Sequence, residues 1–530
     1  MNTHFIKNNS ALGKTRFFMT FLIILSLLVV STGCSSNSSG GKEEDEAFME
    51  KYEAPEKKLD HTTIMFYFPG HKPGSWNEVR AKIEEQISGT INASLDFKWL
   101  DFQGYIQKMS VLEASDELFD AFCLGKPQQR YPDFTKLARD GKLKDITPLF
   151  AVNAPSLMKK YTEEELNYGK VDKKLYAIPS LYPFAYCTYL MVDEALMKKY
   201  GISNISNYEQ YEAYLKAVKE NEPDLVPGTI ANGTDTLRLF ARASGYVIAD
   251  EIQKLVYKWD DPKMKVLAWE KTPEFKEAVN YIADWFKKGY LVSNPDQIKT
   301  TSFIYYGMLN APSEEATKMT FSTSSGEMKE SNPLRIFYLY PEKKVQRDNP
   351  VGSFFFNGSF VFPSSSPNTE RAIQFVNWVQ QDQSNYYLTM YGIEGKDYVL
   401  RDNYPTFPEG MDYNSRTYMY WDGYWAFNNI EYLPVYKDRN GNVMEGLKEF
   451  FDKNSKYPPH GALYPNYGSI ESTAISRSSA FMNFENRIYK GLVTDSSEID
   501  SFIKKLEELG TDNLVEVVQK QLDDAVKDMK

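Results

Sequence analysis

Thr62 to Gly125 decides the fold. It runs TTIMFYF (62–68), a helical stretch, LDFKWLDF (95–102), a second helical stretch, and DELFDAFCLG (116–125). TTIMFYF is β-branched and aromatic, and Pro69-Gly70 ends it as turn residues do. Ser75-Trp76-Asn77-Glu78 has the spacing of a capping box, and Val79, Ile83 and Ile87 follow at helical intervals. Tyr105 to Ala114 is again helical, and DELFDAFCLG is apolar enough to be a buried strand. Strands alternating with helices make a parallel α/β layer. Ligands of such sheets sit beyond the carboxyl ends of the strands. Pro69–His71, Asp101–Gln103 and Leu124–Lys126 are therefore expected on one rim.

Outward from that layer the chain turns helical. NYEQYEAYLKAVKENEP (207–223) and TPEFKEAVNYIADWFKKGYL (272–291) are the clearest helices in a region, Ile202 to Asp296, that reads as mostly helical. SFFFNGSFVFP (353–363) is a strand. Ser366-Pro367 is expected to open an amphipathic helix with Ala372, Phe375, Val376 and Val379 on one side. Two helices close the chain, Ser497 to Leu509, stopped by Gly510, and Asp512 to about Lys527. Their stripes (Ile499, Phe502, Leu506, Leu509; Leu514, Val518, Leu522, Ala525) are core faces. There is no internal repeat.

The first forty residues place the protein in the cell. Lys7, Lys14 and Arg16 precede an apolar run, Phe17 to Val30, broken only by Thr20 and Ser26. Ser31-Thr32-Gly33-Cys34 and a Ser/Asn/Gly tract follow. A basic start, a short apolar segment and small residues make a secretory signal, and the run is short of the ~20 residues that span a bilayer. Gly33-Cys34 resembles the lipobox of bacterial lipoproteins, in which the cysteine is lipidated, although Ser31 stands where a branched aliphatic residue is usual. Residues 1–33 are read as the signal peptide, and 34–59 as the lipidated cysteine and a polar tether. The alternative is an ordinary secreted protein cut nearby.

Losing 1–33 removes three basic residues and no acidic one, so the formal charge falls from −11 to −14. That balance argues against nucleic acid, which needs a basic face. Cys123 and Cys187 remain, both in apolar strand-like stretches, and are expected as packed thiols rather than a disulfide. Aromatics are abundant: 37 Tyr, 33 Phe and 8 Trp. A flat apolar ring with a polar edge matches a sugar's C–H face and hydroxyls, so the excess points weakly to carbohydrate.

Absences narrow the chemistry. No Gly-x-Gly occurs, so the dinucleotide fingerprint is excluded, and there is neither a Walker loop nor a G-x-S-x-G elbow. The four histidines (His4, His61, His71, His460) include no metal-spaced pair, and no C-x-x-C exists. No cofactor and no catalytic residue is expected. Among 72 acids no pair is singled out for glycoside hydrolysis. Asp438-Arg439-Asn440-Gly441-Asn442 with Glu445 alternates oxygen ligands as calcium loops do, but its glycine comes one place early; a hairpin turn at Asn440-Gly441 is the simpler reading.

Several segments together resemble the extracellular solute-binding lipoproteins of Gram-positive carbohydrate ABC importers, in the long-chain branch. VDKKLYAIP (171–179) is similar to that family's hairpin, with Lys173 in place of the usual glycine. LMVDEALMKKYGI (190–202), WFKKGYL (285–291), SSPNTERAIQFVNWV (365–379), LEELGTDNLVEVVQKQLDDAV (506–526) and, most specifically, MYGIEGKDYVL (390–400) also match. The resemblance implies a two-lobed α/β, periplasmic-binding-protein-like fold with a hinge and an interdomain ligand cleft. Lobe 1 would comprise 60–183 plus about 360–410, and lobe 2 184–357 plus about 411–530, with crossovers near Pro179–Tyr186 and Asn357–Pro363. It further implies a monomer that closes on a carbohydrate and presents it to ABC permease subunits.

Cleft candidates at crossovers and strand ends are Gly70, His71, Tyr182, Tyr186, Trp269, Tyr306, Asn357, Trp421 and Trp425. The last two belong to YMYWDGYW (418–425), five aromatics in eight residues. Core packing is the competing reading for each, and for His71 an exposed loop position with no ligand role. The competing function is a surface-anchored glycosidase or lyase acting on polysaccharide, and a third is an adhesive or signalling surface protein.

Overall fold

The computed structural model describes residues 59–528 except 102–103, 106, 109–117, 125–133, 182–185, 231–239, 242, 251, 294, 309–319, 323–327, 340–358, 402–403, 413, 420, 430, 433–457 and 459–462. Along the chain run β1 (Thr62–Pro69), α1 (Trp76–Ile87), β2 (Ala93–Leu100), β3 (Ala121–Leu124) and β4 (Ala177–Ile178). Then come β5 (Tyr186–Asp193), α2 (Tyr208–Asn221), β6 (Thr229–Ile230), α3 (Pro273–Lys287), β7 (Ser302–Met308) and β8 (Leu334–Tyr338). The last elements used below are β9 (Ser359–Val361), α4 (Thr369–Gln381), α5 (Gln383–Tyr391), α6 (Glu471–Tyr489), α7 (Ser496–Glu508) and α8 (Thr511–Asp528).

The first sheet has the order β2-β1-β3-β9-β4. β1 is parallel to both β2 and β3, with Pro69 opposite Leu100 and Tyr67 opposite Phe122. Their carboxyl ends therefore share one rim. β9 returns antiparallel between β3 and β4. The second sheet has the order β8-β5-β7-β6. Tyr186 pairs with Met308, and Ile304 with Ile230 in the parallel pair, so the start of β5 and the ends of β6 and β7 lie along one edge. The chain thus passes from first sheet to second between Ile178 and Tyr186, and back between Tyr338 and Ser359.

Each sheet has its own apolar core, which makes the molecule two-lobed. The first gathers Ile64, Phe66, Phe68, Ile83 and Phe360 with the α4 face Ala372, Phe375, Val376 and Val379. The second gathers Leu190, Tyr211, Trp269, Phe275, Trp285 and Ile304 with Phe481, Ile499, Phe502 and Leu506 of the closing helices. Gly510, with φ +78°, separates α7 from α8. Tyr418, Met419, Trp421, Ala426 and Phe427 belong to the first core, not the second. The lobe boundary expected near 411 is corrected accordingly: the chain stays in the first lobe through Phe427. The reason is apolar burial, because this aromatic run covers the ends of β1 and β2. Leu463 packs on Val518 and Leu522 of a third core, while Tyr464 inserts back into the first and donates to Tyr168 O at 2.7 Å.

Local expectations meet three further corrections. Ser75 precedes α1 but makes no side-chain cap; at ψ 4° its carbonyl accepts from Glu78 and Val79 instead. A reciprocal box forms at Thr162 and Glu165. Pro367 lies before α4, which starts at Thr369, because the Ser366 hydroxyl is spent on Asp120 at 2.9 Å. The region 202–296 also holds a three-stranded sheet, Tyr246–Asp250, Leu255–Lys258 and Leu267–Ala268, whose runs are too short to show a period. Cys123 is a free buried thiol, pushed up to about 12 by burial. The Cys187 side chain, Cys34, most of 105–114 and the 438–445 segment lie outside the described residues.

Candidate functional site

The rim of the first sheet is built at the end of β1. Gly70 has φ +113°, and a Cβ there would lie 2.0 Å from Asp422 Cβ, so only glycine admits the approach. That approach lets the His71 backbone N–H donate to Asp422 Oδ2 at 3.1 Å, with the His71 ring Nδ1 2.9 Å from the same oxygen. Arg416 donates to Asp422 Oδ1 at 3.2 Å. The His71 side chain is 82% exposed and Asp422 33%, against 19% for Arg416. Chemically this is a carboxylate held in place by backbone and guanidinium, beside an open imidazole. Such a rim can exchange hydrogen bonds with hydroxyls.

Beneath it, the aromatics are spoken for. Trp421 is 2% exposed, its ring edge-on to Phe68 at 5.2 Å and to Trp99 at 6.2 Å. Its indole N–H donates to Thr389 O at 3.1 Å, where Tyr418 OH also donates at 3.0 Å. Trp421 is therefore a core residue, correcting its expected place on a wet wall. Trp269 is likewise 0% exposed, packed against Tyr246 at 5.3 Å and Phe275 at 5.8 Å in the second core. In both cases ring faces find more apolar cover inside a lobe than a solvated cleft would give.

Of the other candidates, Tyr186 and Tyr306 occupy β5 and β7 on the second sheet, with Tyr306 opposite Thr188. Trp425 lies on the 3-10 turn Tyr424–Phe427, one turn from Asp422. The side chains of these three, and Tyr182 and Asn357 entirely, are outside the described residues. Asp422 and Arg416 were not singled out in the sequence. The signal was Asp422-Gly423 inside the aromatic run, which marks a turn rather than core.

The same segment continues to the hinge. Asn429 bridges to Leu181, and its amide donates to Gln380 Oε1 at 3.0 Å. The Tyr161 hydroxyl donates to Pro179 O on the crossover, and burial holds its pKa well above the tyrosine range, so it stays a donor. Burial alone would lower Lys160, but hydrogen bonds to Glu431 and Tyr432 keep it above the lysine range. A cavity of about 10 Å³ lies between Tyr161, Pro179, Phe360 and Ala426. It has room for about one water. Among the described residues no His/Cys/Asp/Glu cluster could hold a metal, and no helix is long and apolar enough to cross a membrane.

Two sheets joined by crossovers, with strand ends facing the junction, define the class of two-lobed binding proteins. Residues 72–393 match the model of the bacterial extracellular solute-binding protein family, and the chain belongs to that family. Its members work outside the cytoplasm. A Streptococcus pneumoniae protein named as a carbohydrate ABC transporter substrate-binding protein is 23% identical over 478 residues, 89% of this chain and 92% of the relative. Among solved structures, the N-glycan transport solute-binding protein NgtS of the same species superposes with TM-score 0.69 at 21% identity, covering 88% of this chain and all of that one. An HMO-binding ABC-transporter-associated solute-binding protein of Bifidobacterium longum infantis gives 0.60 at 14% identity, over 88% and 99% of the two chains.

Proposed function

We propose that this protein is the lipid-anchored, extracytoplasmic substrate-binding component of an ABC importer, capturing a carbohydrate, an oligosaccharide, between its lobes and delivering it as a monomer to membrane permease subunits. The observation that carries the reading is the open His71–Asp422 pair on the carboxyl rim of the first sheet, on a segment that goes on to the isolated bridge between Asn429 and Leu181 of the crossover. A carboxylate fixed before the ligand arrives can accept sugar hydroxyls without reorganising, which favours binding. Gly70 and His71 line the first lobe's side. Tyr182, Tyr186, Tyr306, Asn357 and Trp425 are the residues to test as the rest of the cleft. The names of the relatives above support the substrate class and capture rather than turnover.

The test is a thermal-shift screen with short oligosaccharides, Man5GlcNAc among them because NgtS has been crystallised with it. A ligand at 100 times its dissociation constant adds about 2.7 kcal/mol to folding stability. A stabilising sugar recovered intact supports the reading; steady release of shorter products would replace it with the enzyme. Anchoring is tested separately. Cys34→Ser is expected to release the protein into the medium or leave the uncut precursor in the membrane, read by fractionation, and normal processing with retention would end the lipoprotein reading.

A further inference from the structure

We infer that the loop Gly392–Tyr398 is a clasp, closed by the buried Asp397, that positions the Asp422–His71 pair from the far side of the segment carrying it. Asp397 is 0% exposed. Its Oδ2 accepts the Ile393 N–H at 3.0 Å, closing its own loop, and its Oδ1 accepts the Thr417 hydroxyl at 2.7 Å. Gly392 has φ +92°, and a Cβ there would fall 2.7 Å from Asp397 Oδ2. The glycine thus leaves the space the carboxylate fills. These residues form the middle of MYGIEGKDYVL, whose spacing this geometry explains: glycine, then an aspartate five places on to close the turn.

Thr417 stands next to Arg416 and five residues before Asp422. Its carbonyl accepts the Ser75 N–H at 3.2 Å, just ahead of α1. Tyr418 and Trp421 add their two bonds to Thr389 O at the end of α5. The segment from Arg416 to Asp422 is therefore pinned to α5 and its loop by three side-chain bonds, one through Asp397. Arg416 and Asp422 are left to meet at 3.2 Å, with His71 on the open side. The side-chain bonds of Asp397 go to Ile393 and Thr417. Asp397 is a positioning residue, acting through Thr417, and its bearing on affinity rests on the ligand reading of the rim given above.

The experiment is made on the full chain with Thr417→Val, which keeps the side-chain shape and removes the hydroxyl, and with Thr417→Ser, which restores it. Asp397→Ala is the stronger variant, and Thr417→Val guards against its failing to fold. With only four histidines in the chain, ring NMR resonances are assigned by substitution. The clasp predicts that the His71 resonances move in Thr417→Val toward those of Asp422→Asn and return in Thr417→Ser, with Man5GlcNAc or another sugar from the screen binding about three- to tenfold more weakly in the first variant only. Unchanged His71 resonances in folded Thr417→Val overturn the clasp. Moved resonances with unchanged affinity uphold the clasp and overturn the rim as the ligand site, so the two readings fail separately.

Discussion

Glu270 and Arg477 in the second lobe, and Asp422 and Arg416 in the first, are both carboxylate–guanidinium pairs, yet their surroundings are opposite. Glu270 and Arg477 are 0% exposed, and Arg477 spends its remaining donors on Thr511, at 2.9 Å, and on Gln253. Burial pushes the Glu270 carboxyl up, and the Arg477 charge only partly draws it back. That pair ties α6 to the turn Trp269–Lys271 and to the start of α8. Asp422 instead keeps a third of its side chain open and shares it with an exposed histidine. Identical chemistry is structural where water is excluded and available to a ligand where it is not.

The largest expected effect breaks the buried pair. Arg477→Met leaves Glu270 without its cation, which typically costs ~3–5 kcal/mol. Urea unfolding should show a loss of that size, while the fraction that stays folded binds sugar with unchanged affinity. A shift in affinity without a loss of stability would reverse the assignment of the two pairs.

The floor beneath the open pair gives the next effect. Trp421→Phe keeps a ring against Phe68 but deletes the donor to Thr389 O and part of the packing, for about 1–2 kcal/mol of stability. Sugar affinity, measured by titration of the stable variant, should fall by no more than the three- to tenfold expected of Thr417→Val, because the Thr417 and Tyr418 bonds still hold the segment. A large affinity loss with stability intact would return Trp421 to the cleft wall.

How much of this could be read beforehand differs between backbone and site. The strand–helix alternation of 62–125 made the first sheet legible, because parallel strands buried on both faces leave apolar runs. The crossing of chain between lobes was legible only through resemblance, since β4 and β9 have no local sign that their partners lie far off in sequence. Trp269 and Trp421 were misplaced for one reason: composition reports that a residue is aromatic, not which of its faces is covered. Asp422 escaped notice because its partner, His71, is 351 positions away. The hairpin shows the reverse case, where a departure in sequence can be seen as strain. Asp172 and Lys173 have φ 49° and 69°, so the lysine sits where glycine rests without penalty. Lys173→Gly should raise stability by about 0.5–1 kcal/mol in thermal unfolding, and no gain would mean the lysine side chain compensates.

The smallest effect on stability is expected where the largest on binding is. Asp422→Asn keeps the shape, one carbonyl oxygen to accept the His71 N–H, and the covered aromatics below. What it removes is an ion pair open to water, and exposed pairs contribute ~0–1 kcal/mol. His71→Ala removes a side chain with little cover, and such surface changes usually stay within about 0.5 kcal/mol. Neither should move the unfolding midpoint much. If the rim holds sugar hydroxyls, both should weaken binding, Asp422→Asn by about tenfold, because a hydrogen bond to a charged acceptor is stronger than one to an amide. Calorimetric titration separates the outcomes. Weak binding in two stable variants keeps the open pair as the counterpart of the buried one. Native affinity in both would make His71–Asp422 a surface contact and move the search to Trp425 and the second-sheet edge at Tyr186 and Tyr306.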